Sequence, residues 1–267
     1  MKGEEKLKNK VLFVSGGTRN TGLAVAEKFA GEGYDVALTS RSQEEANKTA
    51  AELVQKYGIH AKGYELSLRS VAKIREVFAD VAGEFGRLDC FVAVSANLGM
   101  DMDILHATED QYDDVMDVNV KGNYFCCQQA ALLMKKHDGG SIVLIGSCHY
   151  KATIWGRSLY TTSKGAIASL TRSLAIELGV WGIRANCIVA GSIHTDRWDS
   201  ATAEENDKRR ANYPVGREAY GVDLANGVWY LGTELSGAVT GTDLTIDSGI
   251  GVCLLPYDKG AALWAEK

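Results

Sequence analysis

Apolar positions along this chain follow two regimes that take turns. Short runs rich in Val, Ile, Leu and Phe recur from end to end: Val11 to Ser15, Val36 to Thr39, Ala61 to Leu66, Asp89 to Val94, Ser141 to Ile145, Ile183 to Val189 and Asp243 to Ile246. Between them apolar residues return every three or four positions, as in Leu23, Ala26, Ala30 and in Ile167, Leu170, Leu174. The first regime predicts strands and the second helices. Strands separated by helices pair in parallel, and parallel strands are covered on both faces, so they should be apolar throughout. Val11 to Val14 and Ile142 to Ile145 are. The pattern predicts an α/β fold: a doubly wound, seven-stranded parallel sheet with helices on both faces.

One charge-dense interruption, Thr195 to Arg210, lacks an apolar stripe. It reads as a solvated surface helix. Its place after the carboxyl end of the sixth strand also suits a lid over residues 195–215. The tail, 250–267, mixes Leu254, Leu255 and Trp264 with polar residues and is expected to pack on a neighbouring subunit. There is no repeat, low-complexity tract or linker, so residues 1–267 are read as a single domain.

Composition narrows the functional classes. With 267 residues, 46% hydrophobic and 24% charged, the chain supports one sizeable core. Its net charge of −5, from 34 acidic and 29 basic residues, excludes nucleic acid and anionic membrane surfaces as expected partners. The charged start, Met1 to Lys10, followed by a brief apolar run, is unsuited to a signal or a spanning segment. A soluble, cytoplasmic protein is expected. The six cysteines form no Cys-x-x-Cys pair and read as reduced thiols, with Cys90, Cys126, Cys127 and Cys187 in apolar stretches and Cys148 beside the candidate chemistry. The five histidines show no ligand spacing, so no metal is expected.

The first strand runs into Ser15-Gly16-Gly17-Thr18-Arg19-Asn20-Thr21-Gly22 and then a helix. A strand-to-helix turn presents unpaired N–H groups and the positive end of a helix dipole, which together hold a pyrophosphate. In an open parallel sheet the first such turn is where dinucleotides bind. Gly16, Thr18, Arg19, Asn20, Thr21 and Gly22 are therefore assigned to a cofactor. The second strand ends in Ser40-Arg41, where an acid would accept hydrogen bonds from a free ribose 2′-hydroxyl. Ser40 does not fill that role. Arg41, helped by Arg19, suits a 2′-phosphate, which favours NADP(H) over NAD(H).

From about Leu7 to Gly249 these residues resemble the short-chain dehydrogenase/reductase family. Its signature, Tyr-x-x-x-Lys with a Ser thirteen residues earlier and an Asn on the preceding long helix, is matched by Tyr160, Lys164, Ser147 and Asn119. A phenol is a poor proton carrier at neutral pH, and an ammonium one helical turn away assists it. The resemblance implies that Tyr160 exchanges a proton with the substrate oxygen, Ser147 holds that oxygen, Lys164 also binds the nicotinamide ribose, and Asn119 backs a proton-relaying water. It further implies cofactor contacts at Leu66, Ser95, Ile193 and Thr195.

Three motifs depart from the family. Asn20 replaces the middle glycine of Gly-x-x-x-Gly-x-Gly, and Asn is the residue other than glycine that best tolerates positive φ. Asn-Asn-Ala-Gly becomes Ala93-Val94-Ser95-Ala96, which loses both amides, and Pro-Gly becomes Ala190-Gly191. Gly146-Ser147-Cys148-His149 lacks the Gly-x-Ser-x-Gly elbow of a hydrolase.

His149, Tyr150, Trp155, His194 and Trp198 are assigned to a broad pocket wall suited to a cyclic substrate. The resulting expectation is an NADP(H)-dependent oxidoreductase interconverting a secondary alcohol and a ketone, such as a hydroxysteroid or bile acid. The alternatives are a reductase of sugars, polyols or 3-oxoacyl thioesters, and an inactive NADP(H)-binding regulatory protein. The resemblance implies a homotetramer or dimer built through the helices predicted at Thr108 to His137 and Ser158 to Val180.

Overall fold

The computed structural model describes residues 9–198 and 200–253. Seven strands form one sheet: β1 (Val11–Ser15), β2 (Asp35–Ser40), β3 (Ala61–Glu65), β4 (Cys90–Ala93), β5 (Gly140–Ile145), β6 (Ile183–Ala190) and β7 (Asp243–Ile246). All pair in parallel, in the order β3-β2-β1-β4-β5-β6-β7. The order reverses between β1 and β4, which opens a crevice at the carboxyl ends of those strands.

The helices are α1 (Asn20–Gly31), α2 (Gln43–Tyr57), α3 (Val71–Phe85), α4 (Glu109–Met116), α5 (Asn123–Met134), α6 (Ser158–Leu178), α7 (Ala203–Arg210) and α8 (Gly221–Gly232). Alternation along β1 divides the core in two. Phe13 faces α3, α5 and α6, packing with Phe78, Met134 and Ile167, whereas Leu12 and Val14 face α1 and α8, packing with Phe29 and Leu224. Phe13, Phe78 and Phe91 meet at centroid separations of 4.8 to 5.6 Å. Each such buried ring contributes roughly 1.5–3 kcal/mol.

Gln43 at the start of α2 closes the free edge of β3. Its side-chain amide donates to Gly63 O (2.9 Å) and accepts from Glu65 N (2.9 Å), the outward-facing backbone groups that another strand would use.

The long helix expected over Thr108 to His137 is three pieces. A π-helical stretch, Asp117–Gly122, separates α4 from α5. The helix expected to Val180 ends at Leu178 and passes into a 3₁₀ turn, Gly179–Trp181. The charged segment is α-helical only over Ala203–Arg210, where Thr202 and Glu205 form a capping box. Leu254, Leu255 and Trp264 lie outside the described residues. Cys90, Cys126, Cys127 and Cys187 are fully buried with free thiols. Among the described residues no helix is long and apolar enough to cross a membrane, and no group of three metal-ligating side chains gathers.

Candidate active site

The chain leaves β1 with Gly16 at φ 78° and enters α1 through Asn20 at φ 48°. The asparagine thus takes the left-handed conformation that a glycine would otherwise supply. A Cβ on Gly22 would lie 1.9 Å from Gly16 O, so backbone meets backbone here with no space for a side chain. Gly16 N and Gly17 N donate to Thr39 Oγ1 and O (both 3.0 Å), fixing the turn against β2. Ser42, Ser70, Thr108 and Thr202 cap α2, α3, α4 and α7, but α1 begins at Arg19 without a side-chain cap. Its first amides stay available to an anion. Ser15 Oγ, fully buried at the end of β1, has no hydrogen-bond partner among the described residues. A tight glycine cradle, open helical amides and an orphaned hydroxyl fit a dinucleotide.

Arg19 and Arg41 are exposed, and neither side chain enters a hydrogen bond or ion pair among the described residues. Ser40 is engaged elsewhere: its hydroxyl donates to Glu45 Oε2 (2.8 Å). Leu66 is buried in the core with Tyr64 and Leu68, and its N–H donates to Ser40 O. Ser95 N donates to Ser15 O (3.2 Å), and Ser95 Oγ stands 2.5 Å from where a Gly16 Cβ would sit. Thr18 and Thr21 lie on the same turn.

At the carboxyl end of β5, Ser147 is buried and its Oγ accepts from His149 N (3.2 Å). Lys164 is also buried; its Nζ donates to Ile145 O (2.7 Å) and lies 5.6 Å from the centre of the Tyr160 ring. One carbonyl uses one of three ammonium donors. The His149 ring meets the Tyr160 ring edge-on at 5.6 Å. His149 is held below the usual histidine range by burial and by the Arg157 charge, and burial pushes the Cys148 thiol up, away from nucleophilic use.

Asn119 sits in the π-helical stretch, fully buried. Such single-turn widenings mark functional positions in many helices. Its Oδ1 accepts from Asn97 N (2.6 Å), while Nδ2 donates to Asn97 O (2.8 Å) and Ser163 Oγ (3.0 Å). Ser163 in turn donates to Tyr160 O (2.8 Å). The backbone carbonyl of Asn119 accepts from Asn123 Nδ2 (3.0 Å). Asn97 was not anticipated from sequence. Its side chain donates to Asp114 Oδ2 (2.7 Å), and Asp114 pairs with Arg69. This network spans the β4 loop, α4 and the β3 loop and supports the segment where both family amides are missing.

The pocket residues divide. His149 adjoins Tyr160, but Tyr150 turns away: its hydroxyl donates to Asp243 Oδ2 (2.6 Å), and its ring packs on the core. Trp155 is 80% exposed. Ile193 pairs with Ala219 in an isolated parallel bridge, and Thr195 O accepts from Trp198 N (2.9 Å). His194 and Trp198 lie in the segment after β6, the strand next to β5, with their rings 6.2 Å apart.

A family model described as enoyl-(acyl carrier protein) reductase matches residues 16–251. A 3-oxoacyl-[acyl-carrier-protein] reductase of Aquifex aeolicus is 32% identical over 247 residues, 92% of this chain and 99% of the relative. A 3alpha-hydroxysteroid dehydrogenase of Mediterraneibacter gnavus is 32% identical over 245 residues, 90% of this chain and 96% of the relative. Among solved structures, ElxO with NADP bound superposes with a TM-score of 0.85 at 27% identity, over 92% of this chain and 100% of the other. Matched from the glycine turn to beyond β7, the chain belongs to the short-chain dehydrogenase/reductase family and is a nicotinamide-dependent oxidoreductase of that family.

Proposed function

We propose that the protein interconverts a secondary alcohol and a ketone with NADP(H), acting on a bulky apolar, cyclic substrate of the hydroxysteroid type. The observation that carries the chemistry is the convergence of Ser147, Tyr160 and Lys164 at the carboxyl end of β5, beside the glycine crevice. The bound nicotinamide supplies or accepts the hydride. In the reductive direction the Tyr160 phenol donates its proton to the carbonyl oxygen; in the oxidative direction the phenolate takes it back. Ser147 donates a hydrogen bond to the same oxygen and stabilises the charge that develops there. Lys164, anchored on Ile145 O, holds a cation beside the phenol and keeps N–H donors for ribose hydroxyls. The Asn119 side chain is committed to Asn97 and Ser163, so its part is to hold the backbone around Tyr160.

NADP(H) is favoured by the uncommitted Arg19 and Arg41 and by the lack of an acid at Ser40. The substrate class rests on the mouth of the site. Met102 N donates to Gly156 O (3.1 Å) and Arg157 Nη1 to Leu98 O (2.9 Å), which joins the loop after β4 to the loop that precedes α6 and Tyr160. Together they expose Leu98, Met100, Ile104, Leu105, Ile154 and Trp155. An apolar rim of this size suits a large apolar substrate. The similarity to a 3alpha-hydroxysteroid dehydrogenase supports this class. A second reading, reduction of a 3-oxoacyl thioester, is supported by the Aquifex relative and the matched family model. Exposed Tyr124 and Leu132 on α5, Ile176 on α6 and Val180 in the turn that follows it support self-association through those helices.

The test is NADPH oxidation with a panel of ketosteroids, 3-oxoacyl thioesters and ketoses. Ketosteroids should give the highest kcat/KM. A preference for 3-oxoacyl thioesters would establish the second reading, and a Tyr160→Phe variant with undiminished turnover would overturn the catalytic assignment.

A further inference from the structure

Glu218 is a fully buried acid outside the catalytic set, between Arg217 and the start of α8. Its Oε1 meets His194 Nδ1 (2.8 Å) and accepts from Arg209 Nη2 (2.8 Å), while Arg210 Nε stands 3.6 Å from Oε2. One carboxylate therefore gathers the segment after β6, the end of α7 and the turn before α8. Backbone contacts follow the same seam: His194 N donates to Ala219 O (2.8 Å), beside the Ile193–Ala219 bridge. The Arg209 guanidinium lies 3.6 Å over the Trp198 ring, and the His194 ring stands 4.9 Å from Tyr220. Buried Tyr213 follows α7, its N–H donating to Arg210 O (3.0 Å).

An apolar residue at 218 would fill the same space without desolvating a charge. What the carboxylate adds is direction. It sets the His194 ring through one nitrogen, and it sets Trp198 by orienting the guanidinium stacked on it. His194 lies between Ile193 and Thr195, just past the carboxyl end of β6, which pairs with the strand leading to Ser147.

We propose that Glu218 is a positioning residue for substrate recognition: it fixes His194 and Trp198 as a rigid wall facing the catalytic groups, so that the substrate is selected by shape. This rests on the reading of the chain as a ketone reductase.

The experiment compares wild type with Glu218→Gln, which keeps the shape and removes the charge. With the best ketone of the panel, KM should rise at least tenfold while kcat stays within about threefold, and NADPH affinity by fluorescence titration should be unchanged. Amide hydrogen exchange at residues 193–198 should accelerate at least tenfold, with the sheet strands unaffected. Unchanged KM and unchanged exchange would overturn the proposal, as would a fall in kcat with KM constant. If Glu218→Gln does not fold, Arg209→Met tests the same contact from its partly exposed side, with the same two outcomes. Wild type that reduces no ketone would defeat the functional reading alone, because the exchange measurement still decides whether Glu218 holds the wall.

Discussion

Asn119 commits both ends of its side-chain amide to the backbone of a single residue, Asn97, accepting from its N–H at 2.6 Å and donating to its carbonyl at 2.8 Å. This is the pairing an adjacent strand would make, supplied instead by a side chain from a widened helical turn. Asn119→Ala should leave buried backbone groups unpaired, at about 1–3 kcal/mol. We expect kcat to fall ten- to a hundredfold and the melting temperature to drop. Asn97→Ala keeps the backbone pair and should lose less than threefold in kcat, which steady-state kinetics on both variants will check.

Arg41→Ala and Arg19→Ala each remove one candidate phosphate contact. Charge-assisted hydrogen bonds contribute about 1.5–3 kcal/mol, so kcat/KM for NADPH should fall by roughly one to two orders of magnitude per variant. With NADH it should change less than twofold. Parallel assays with both cofactors decide the matter, and equal losses would remove the basis for NADP(H) preference.

Gly22→Ala places a methyl group 1.9 Å from Gly16 O, a contact only backbone movement relieves. Overpacking of this kind costs about 1–3 kcal/mol. Nucleotide affinity should fall at least tenfold by calorimetry, because the displaced atoms form the cradle itself. Asn20→Gly relieves a left-handed asparagine and should bind at least as tightly as wild type.

Burial opposes ionisation of Glu218, but its own backbone N–H, His194 and Arg209 outweigh that and hold its carboxyl down at about 2, against an ordinary 4.5. Arg210 also faces it at 3.6 Å, while Arg217 donates to the Glu218 backbone carbonyl and pairs with Asp223. A depressed carboxyl contributes stability that is fully present above its unfolded value and is lost as pH falls through the folded one. The stability gap between wild type and Glu218→Gln should therefore be constant above about pH 5 and close progressively towards pH 2. Removing one partner of a buried pair costs about 3–5 kcal/mol, which sets the expected gap at neutral pH. Denaturant melts across pH measure it.

The seven strands, and the helical face shared by Tyr160 and Lys164, were readable because their signals are local. A covered parallel strand is a continuous apolar run, and Tyr160 and Lys164 share a helical face by spacing. The π-helical turn at Asp117–Gly122 was not readable: it differs from α-helix by one hydrogen-bond step, which leaves no periodicity to detect. Tyr150 shows why an aromatic residue beside a motif is weak information on direction. Its bond to Asp243 joins positions far apart in sequence. Glu218 escaped for the same reason, because its partner His194 precedes it by two dozen residues and nothing in Arg-Glu-Ala announces a buried acid. Asn97 left a fainter clue, a polar residue in an otherwise small and apolar stretch after β4.

Gln43 carries a consequence for the solution behaviour of the protein. An unprotected outer strand is a template for recruiting further chains, and partially assembled aggregates grow from such templates. By occupying Gly63 O and Glu65 N, one glutamine terminates the ladder at a place where the flanking Lys62 and Glu65 charges already discourage recruitment. Gln43→Ala should leave turnover intact yet shorten storage life at high concentration, with light scattering rising before any activity is lost.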